Sequence, residues 1–241
     1  MKIIHFDEID STNSYLKREY SNLENFTVAT ASHQTNGKGR LGRKWDDDSN
    51  SLLFSILLKD NLDKVNSESL SLIVGVAISL VLKDYGFSPK IKWPNDVLLN
   101  DKKCLGILLE AIYQKKMEAL VIGVGINVNN EVFPDELKNK ATSLYLQKNI
   151  KFDKDKLLKD FLEKFNYLIV DYKNGSKKYL SILKELSYLD DKDVILDYYG
   201  ENKHCLVLGI QEDGRLKVKD EDGKEFSVCS GEVTLEKNYE G

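Results

Sequence analysis

The segment LSLIVGVAISLVL, residues 70–82, constrains this chain most, because so many consecutive apolar side chains must leave water together. It is too short to cross a bilayer, which needs about 20 residues. Glu68 stands before it and Lys83-Asp84 after it, and Gly86 and Pro89 follow as stop signals. It therefore predicts a buried helix over roughly 67–85, and a helix apolar on every side needs a partner surface on every side. Candidate strands supply one. LLFSILL (52–58) is an apolar run of strand length, FTVATA (26–31) is β-branched, and KIIHFDEI opens the chain as a short strand. KIKWPNDVLLNDKKCLGILLEA reads as strand pieces joined by Asn/Asp turns, and EALVIGVGINVN as a strand ending in glycines. Ser11 or Thr12 is placed to cap a helix carrying Tyr15 and Leu16.

From Asp153 the period changes. Leu157, Leu158, Phe161, Leu162, Phe165, Leu168, Ile169 and Tyr172 recur at three- and four-residue spacing, an amphipathic helix opened by Asp153 and closed near Gly175. A shorter helix is expected around 177–186. Beyond about 188, short strands with turns at YYGEN, QEDGR and DEDGKE predict a small all-β barrel. The expected architecture is a mixed α/β domain over 1–187, of α+β class with helices flanking a mixed sheet, and a β module over 188–241.

Composition narrows the function. The 241 residues carry a formal net charge of -4, which argues against a general nucleic-acid partner. Cys104, Cys205 and Cys229 are widely spaced and read as small buried hydrophobes in a reducing cytoplasm. His5, His33 and His204 are scattered, so no metal cluster of protein ligands is expected. The N-terminus has no apolar signal region, and no membrane association is expected.

Against this acidic background, GKGRLGRKW (37–45) gathers Lys38, Arg40, Arg43 and Lys44 around three glycines. Gly37, Gly39 and Gly42 match G-x-G-x-x-G, but a dinucleotide fold needs a helix after the loop, and RKWDDDSNS is poor helix material. A P-loop would place Lys-Ser or Lys-Thr after the last glycine, and the kinase motifs are absent downstream. What the composition does predict is an anion site, with backbone N–H groups converging without Cβ clashes and cations adding charge-assisted hydrogen bonds. A solvated surface loop is the plain alternative. KWPND (92–96) reads equally as a ligand rim bearing Lys, Asn and Asp or as an ordinary turn with a core Trp. Lys103, before an apolar strand, is either a site cation or a snorkelling surface Lys. GVGIN (123–127) offers close backbone approach and an Asn amide, or a simple bulge.

Taken in order, DSTNS, GKGRLGRKW, KWPND, KKCLGILLE, GVGIN and the late SGEV resemble the biotin–protein ligases, also called biotin–[acetyl-CoA-carboxylase] ligases. The resemblance spans nearly the whole chain. It implies an SH3-like C-terminal barrel and an ATP-dependent ligase that forms biotinyl-5′-AMP, then transfers biotin to a lysine of a biotin carboxyl carrier domain. Mg²⁺ is implied with the ATP. Ser11, Thr12, Asn13, Gln34, Lys38, Gly39 and Gly106 match the biotin pocket. Arg40 and Lys103 match the catalytic pair that touches both carboxylate and α-phosphate. Arg43, Asn95 and Asp96 match positions serving the phosphates or their metal, and Trp45 and Asn127 those at the adenine.

One departure is Lys38, where the family loop usually carries Arg, so a bidentate role there is lost. Some members carry an N-terminal helix-turn-helix domain, and this chain starts directly at the catalytic strand, so a ligase that binds no DNA is expected. The family commonly pairs through its sheet, which makes a homodimer possible. The alternatives are a lipoate–protein ligase, whose substrate lacks the ureido group, and a non-catalytic biotin sensor.

Overall fold

The structure, a computed structural model, describes residues 1–46, 48–198 and 200–235. β1 (Ile3–Ile9), α1 (Thr12–Glu19), β2 (Val28–Gln34), β3 (Leu52–Leu58) and α2 (Ser67–Asp84) come first. β4 (Lys90–Lys92), β5 (Asp96–Leu99), β6 (Lys102–Tyr113) and β7 (Met117–Ile126) complete a seven-stranded sheet of order β1-β2-β3-β7-β6-β5-β4. β1 runs parallel to β2 and every other pair is antiparallel, so the sheet is mixed. α3 (Leu144–Lys148), α4 (Lys154–Lys173) and α5 (Lys178–Leu186) follow. α3 is too short to show a helical period and was not expected from the sequence; Ser143 caps it with its side chain.

The buried helix forms where residues 70–82 predict it, capped by Asn66 and stopped by Gly86 in the left-handed region at φ +77. It packs with α4 against one face of the sheet. The α4 stripe is buried from Leu157 to Ile169, and Phe161 meets Phe54 of β3 with ring centroids 5.2 Å apart. Each large aliphatic side chain buried here contributes about 1.5–3 kcal/mol. α1 takes the opposite face, where Leu16 packs on Ala29, Leu57, Ala119 and Val121. β3 is thus covered on both sides, which explains a continuous apolar run in place of an alternating one.

Strand alternation divides the work of the sheet. Phe54, Ile56, Ile107, Ile122, Val124 and Ile126 point into the large core under α2 and α4. Their neighbours point the other way. The register aligns Lys92, Asp96, Gly106, Gly125, Leu53 and Ala31 in one row across six strands. Parallel to it run Leu108–Gly123–Ser55 and Glu110–Val121–Leu57.

The C-terminal strands β8 (Asp193–Tyr198), β9 (Glu201–Ile210), β10 (Leu216–Asp220), β11 (Glu225–Val228) and β12 (Glu232–Leu235) form one antiparallel sheet of order β11-β10-β9-β8-β12. Its end strands β11 and β12 do not pair among the described residues. The change of sheet falls between α5 and β8. Val194, Leu196, Val207 and Leu216 nevertheless belong to the same buried cluster as α2 and α4. One directional tie joins the two sheets: Trp93, 2 % exposed, donates its indole N–H to the Gly214 carbonyl at 2.9 Å.

Trp93→Phe should leave that carbonyl unpaired and cost about 1–3 kcal/mol. Urea unfolding checks it: the midpoint should fall, and an unchanged midpoint would show that the tie contributes nothing.

Candidate functional site

The face that α1 leaves uncovered is a cleft. Gly123 and Gly125 recur at the strand period, so β7 presents bare backbone there. At Gly125 a Cβ would come 2.6 Å from the Trp45 indole, and at Gly123 one would come 2.3 Å from Asn13 Oδ1. Both close approaches need glycine. Gly106, beside Gly125 in register, lies under the same indole. Ser11, Thr12, Asn13, Gln34, Lys38, Gly39, Arg40, Trp45, Asn95, Lys103 and Gly106 all line this cleft.

One end is polar and buried. Ser11 caps α1 by accepting from the Ser14 N–H, a long bond of 3.5 Å. Thr12 donates its backbone N–H to Gln34 Oε1 at 2.7 Å, and its hydroxyl lies 2.7 Å from Ser55 Oγ. Ser55 donates to Asn13 Oδ1 at 2.5 Å, and Asn13 Nδ2 donates to Glu110 at 2.8 Å. These groups are polar yet buried: Thr12 is 3 % exposed, Asn13 4 % and Ser55 0 %. Such burial is tolerated only with hydrogen-bond partners.

The other end is charged. Arg40, half-buried, donates to Asn95 Oδ1 at 2.9 Å, and Asn95 Nδ2 donates to the Ile107 carbonyl at 3.0 Å. Burial, the main influence, lowers the Arg40 pKa; Asp96 and Glu232 oppose the shift, and Arg43 adds to it. Lys103 Nζ stands 2.8 Å from Asp96 Oδ1 in an ion pair whose angles lie outside hydrogen-bond geometry, so that buried oxygen has no hydrogen-bond partner. Lys103 also lies 5.6 Å from the centre of the Trp45 ring. The Trp45 indole N–H is buried and has no partner among the described residues.

The loop differs from a backbone cradle. Gly39 donates its N–H to the Arg43 carbonyl at 2.7 Å and Trp45 donates to Gly37 at 3.1 Å. A single 3-10 turn spans Arg40–Gly42, with Leu41 exposed in the left-handed region at φ 55. The Gly39 N–H is therefore occupied internally. Nor does the cation cluster stand unbalanced. Arg43, exposed, pairs with Glu232 of β12, so the loop touches the C-terminal sheet.

Three expected residues stand apart from the lining: Asn127, Asp96 and Arg43, the last paired with Glu232. Asn127, 6 % exposed, donates its side-chain N–H to the Thr142 carbonyl at 3.1 Å. Asp96 touches the cleft through Lys103. Sequence reasoning missed Ser55, Glu110 and Glu232, and named Lys92 only as the lysine of the KWPND rim. A lone Ser within LLFSILL was a usable signal, since nothing apolar is gained by placing a hydroxyl there. Lys92, opposite Asp96 in register, has its pKa lowered mainly by burial.

A Biotin/lipoate A/B protein ligase family model matches residues 5–127. The chain is 30% identical over 97% of its length to the bifunctional ligase/repressor BirA of Bacillus subtilis, covering 74% of that protein. It is 29% identical over 86% of its length to the biotin–[acetyl-CoA-carboxylase] ligase of Mycobacterium tuberculosis, covering 77% of it. The structure of the Aquifex aeolicus biotin protein ligase in complex with biotin and ATP superposes with a TM-score of 0.86 at 32% identity, covering 97% of this chain and 98% of that one. No helix among the described residues is long and apolar enough to cross a membrane. With a family model over half its length and relatives along nearly all of it, the chain belongs to the Biotin/lipoate A/B protein ligase family.

Proposed function

We propose that this protein joins biotin to ATP as biotinyl-5′-AMP and transfers the biotinyl group to a lysine of a biotin carboxyl carrier domain. The observation that carries the reading is one cleft with a buried polar end at Ser11–Thr12–Asn13 and a cationic end at Arg40 and Lys103. A ligand that fits has a polar, uncharged head, an apolar middle over the glycine floor and an anionic tail. Biotin's ureido ring, thiophane and valerate meet those demands in order.

In the first step a biotin carboxylate oxygen attacks the α-phosphorus of ATP and pyrophosphate leaves. Two anions meet, so Arg40 and Lys103 neutralise the approach and stabilise the charge of the transition state. In the second step the deprotonated lysine nitrogen attacks the acyl carbon and AMP leaves. Positioning suffices in both, and no enzyme nucleophile is needed. Arg43 and Lys92 extend the positive rim for the outer phosphates, and Asn95 holds Arg40 in place. Trp45 offers a flat face for the nucleotide base. Asn127 is assigned a supporting role behind that position, because its amide is committed to Thr142.

Mg²⁺ would have one protein carboxylate at this end: among the described residues no three metal-ligating side chains converge, and Asp96 Oδ1, buried and without a hydrogen bond, is ion-paired to Lys103 at 2.8 Å. Such a hard cation takes one or two carboxylates and lets the phosphates complete its shell, where it neutralises their charge. Asp96 is the residue that would hold it.

Biotin-dependent exchange of pyrophosphate into ATP tests the reading, with lipoate in a parallel reaction. Exchange with biotin alone is expected, and Lys103→Ala should lower it by about 100-fold or more. Exchange with lipoate alone, or a near-normal rate in the variant, would contradict it. Arg40→Gly should let the adenylate escape, read as biotin on bystander lysines of an unrelated protein. Retention equal to wild type would remove Arg40 from loop closure.

A further inference from the structure

Glu110 lies beyond the expected site, yet it governs the polar end of the cleft. It stands in the row next to Ser55 and Gly123 on the same face of the sheet. Lys17 of α1 donates to one of its carboxylate oxygens at 2.6 Å, and Asn13 Nδ2 donates to the other at 2.8 Å. An ionised carboxylate only accepts, and this one is held ionised. Burial alone would raise its pKa, but hydrogen bonds from Lys17 and Asn13 and the charges of Lys17 and Lys38 lower it overall.

The consequence propagates by counting protons. Because Glu110 accepts, Asn13 must turn its NH₂ toward it and its carbonyl oxygen toward Ser55. Ser55 then gives its one hydroxyl proton to that oxygen, at 2.5 Å. It has none left for Thr12, whose Oγ1 is 2.7 Å away. Thr12 in turn has two acceptors for its single proton, Ser55 Oγ and Gln34 Oε1, the latter 3.0 Å away. By either route the Thr12 hydroxyl meets a ligand with lone pairs alone. An acceptor in a buried site selects a ligand N–H and disfavours a ligand oxygen that cannot donate.

We propose that Glu110 is a positioning residue that sets the hydrogen-bond polarity of the cleft through Asn13, Ser55 and Thr12, so that Thr12 accepts from a ring N–H of the substrate. The proposal rests on the biotin reading, whose cyclic urea supplies the N–H groups. Glu110 touches no substrate itself.

Calorimetric titration of the full chain with biotin at pH 8 tests it in four proteins: wild type, Glu110→Gln, Asn13→Asp and the double variant. Glu110→Gln lets the Asn13 amide reverse, and binding should weaken about tenfold or more, the worth of one buried hydrogen bond. Asn13→Asp places two carboxylates face to face and should weaken binding similarly. In the double variant the new amide at position 110 donates to the new carboxylate at position 13, which again accepts from Ser55. Affinity should then return to within about threefold of wild type. A purely structural role for Glu110 predicts no such rescue. Thermal unfolding establishes that each variant is folded. Should Glu110→Gln not fold, the comparison of the double variant with Asn13→Asp decides, with about tenfold tighter binding expected. Wild type that binds biotin with an equal affinity in Glu110→Gln, or a folded double variant no tighter than Asn13→Asp, overturns the proposal alone. Wild type that takes up no biotin overturns the ligand reading beneath it as well.

Discussion

Everything at the site depends on two close approaches to a bare strand. The large residues of β7 point into the core under α2 and α4, while on its other face Gly123 and Gly125, beyond Ala119 and Val121, leave the end of the strand without side chains. On that floor sit Asn13 and Trp45, each too near for even one added carbon. The glycines forgo packing on one face, which the heavy apolar load of the opposite face and of α2 offsets. Function is thereby placed on the half of the sheet that the core does not need.

Charge is handled by pairing across elements. The cations that would receive a polyphosphate already have protein partners: Asn95 for Arg40, Asp96 for Lys103 and Glu232 for Arg43. These partners keep like charges in fixed places without an anion present. At Lys103 and Arg43 ligand binding then becomes exchange of one counter-charge for another, which limits the desolvation cost there, while the neutral Asn95 amide only positions Arg40. Glu232 comes from the C-terminal sheet and Trp93 donates to Gly214 in the turn between β9 and β10, so the loop and the KWPND turn are both braced from beyond the seven-stranded sheet.

Much of this was legible in the sequence because period and punctuation are local signals. The apolar run at 70–82 and the stripe from Leu157 to Ile169 give helices near their expected bounds. The strand expected at 26–31 begins later, at Val28, because Phe26 turns through φ 63 before the strand starts. α3 escaped notice since five residues carry no period. At the site, ordered motifs singled out the cleft-lining residues, but register lay beyond reach. Only pairing shows that Lys92, Asp96, Gly106 and Gly125 share one row, or that Ser55 and Glu110 flank Asn13. Asn127 illustrates the converse: a motif names the residue, but packing against Thr142 decides where its amide points.

The most direct measurement is the intact mass of a biotin carboxyl carrier domain after incubation with this protein, Mg-ATP and biotin, beside a reaction with lipoate. The account predicts a mass gain of one biotinyl group on one lysine with biotin and none with lipoate. A carrier left unmodified by biotin, or modified by lipoate alone, would contradict it.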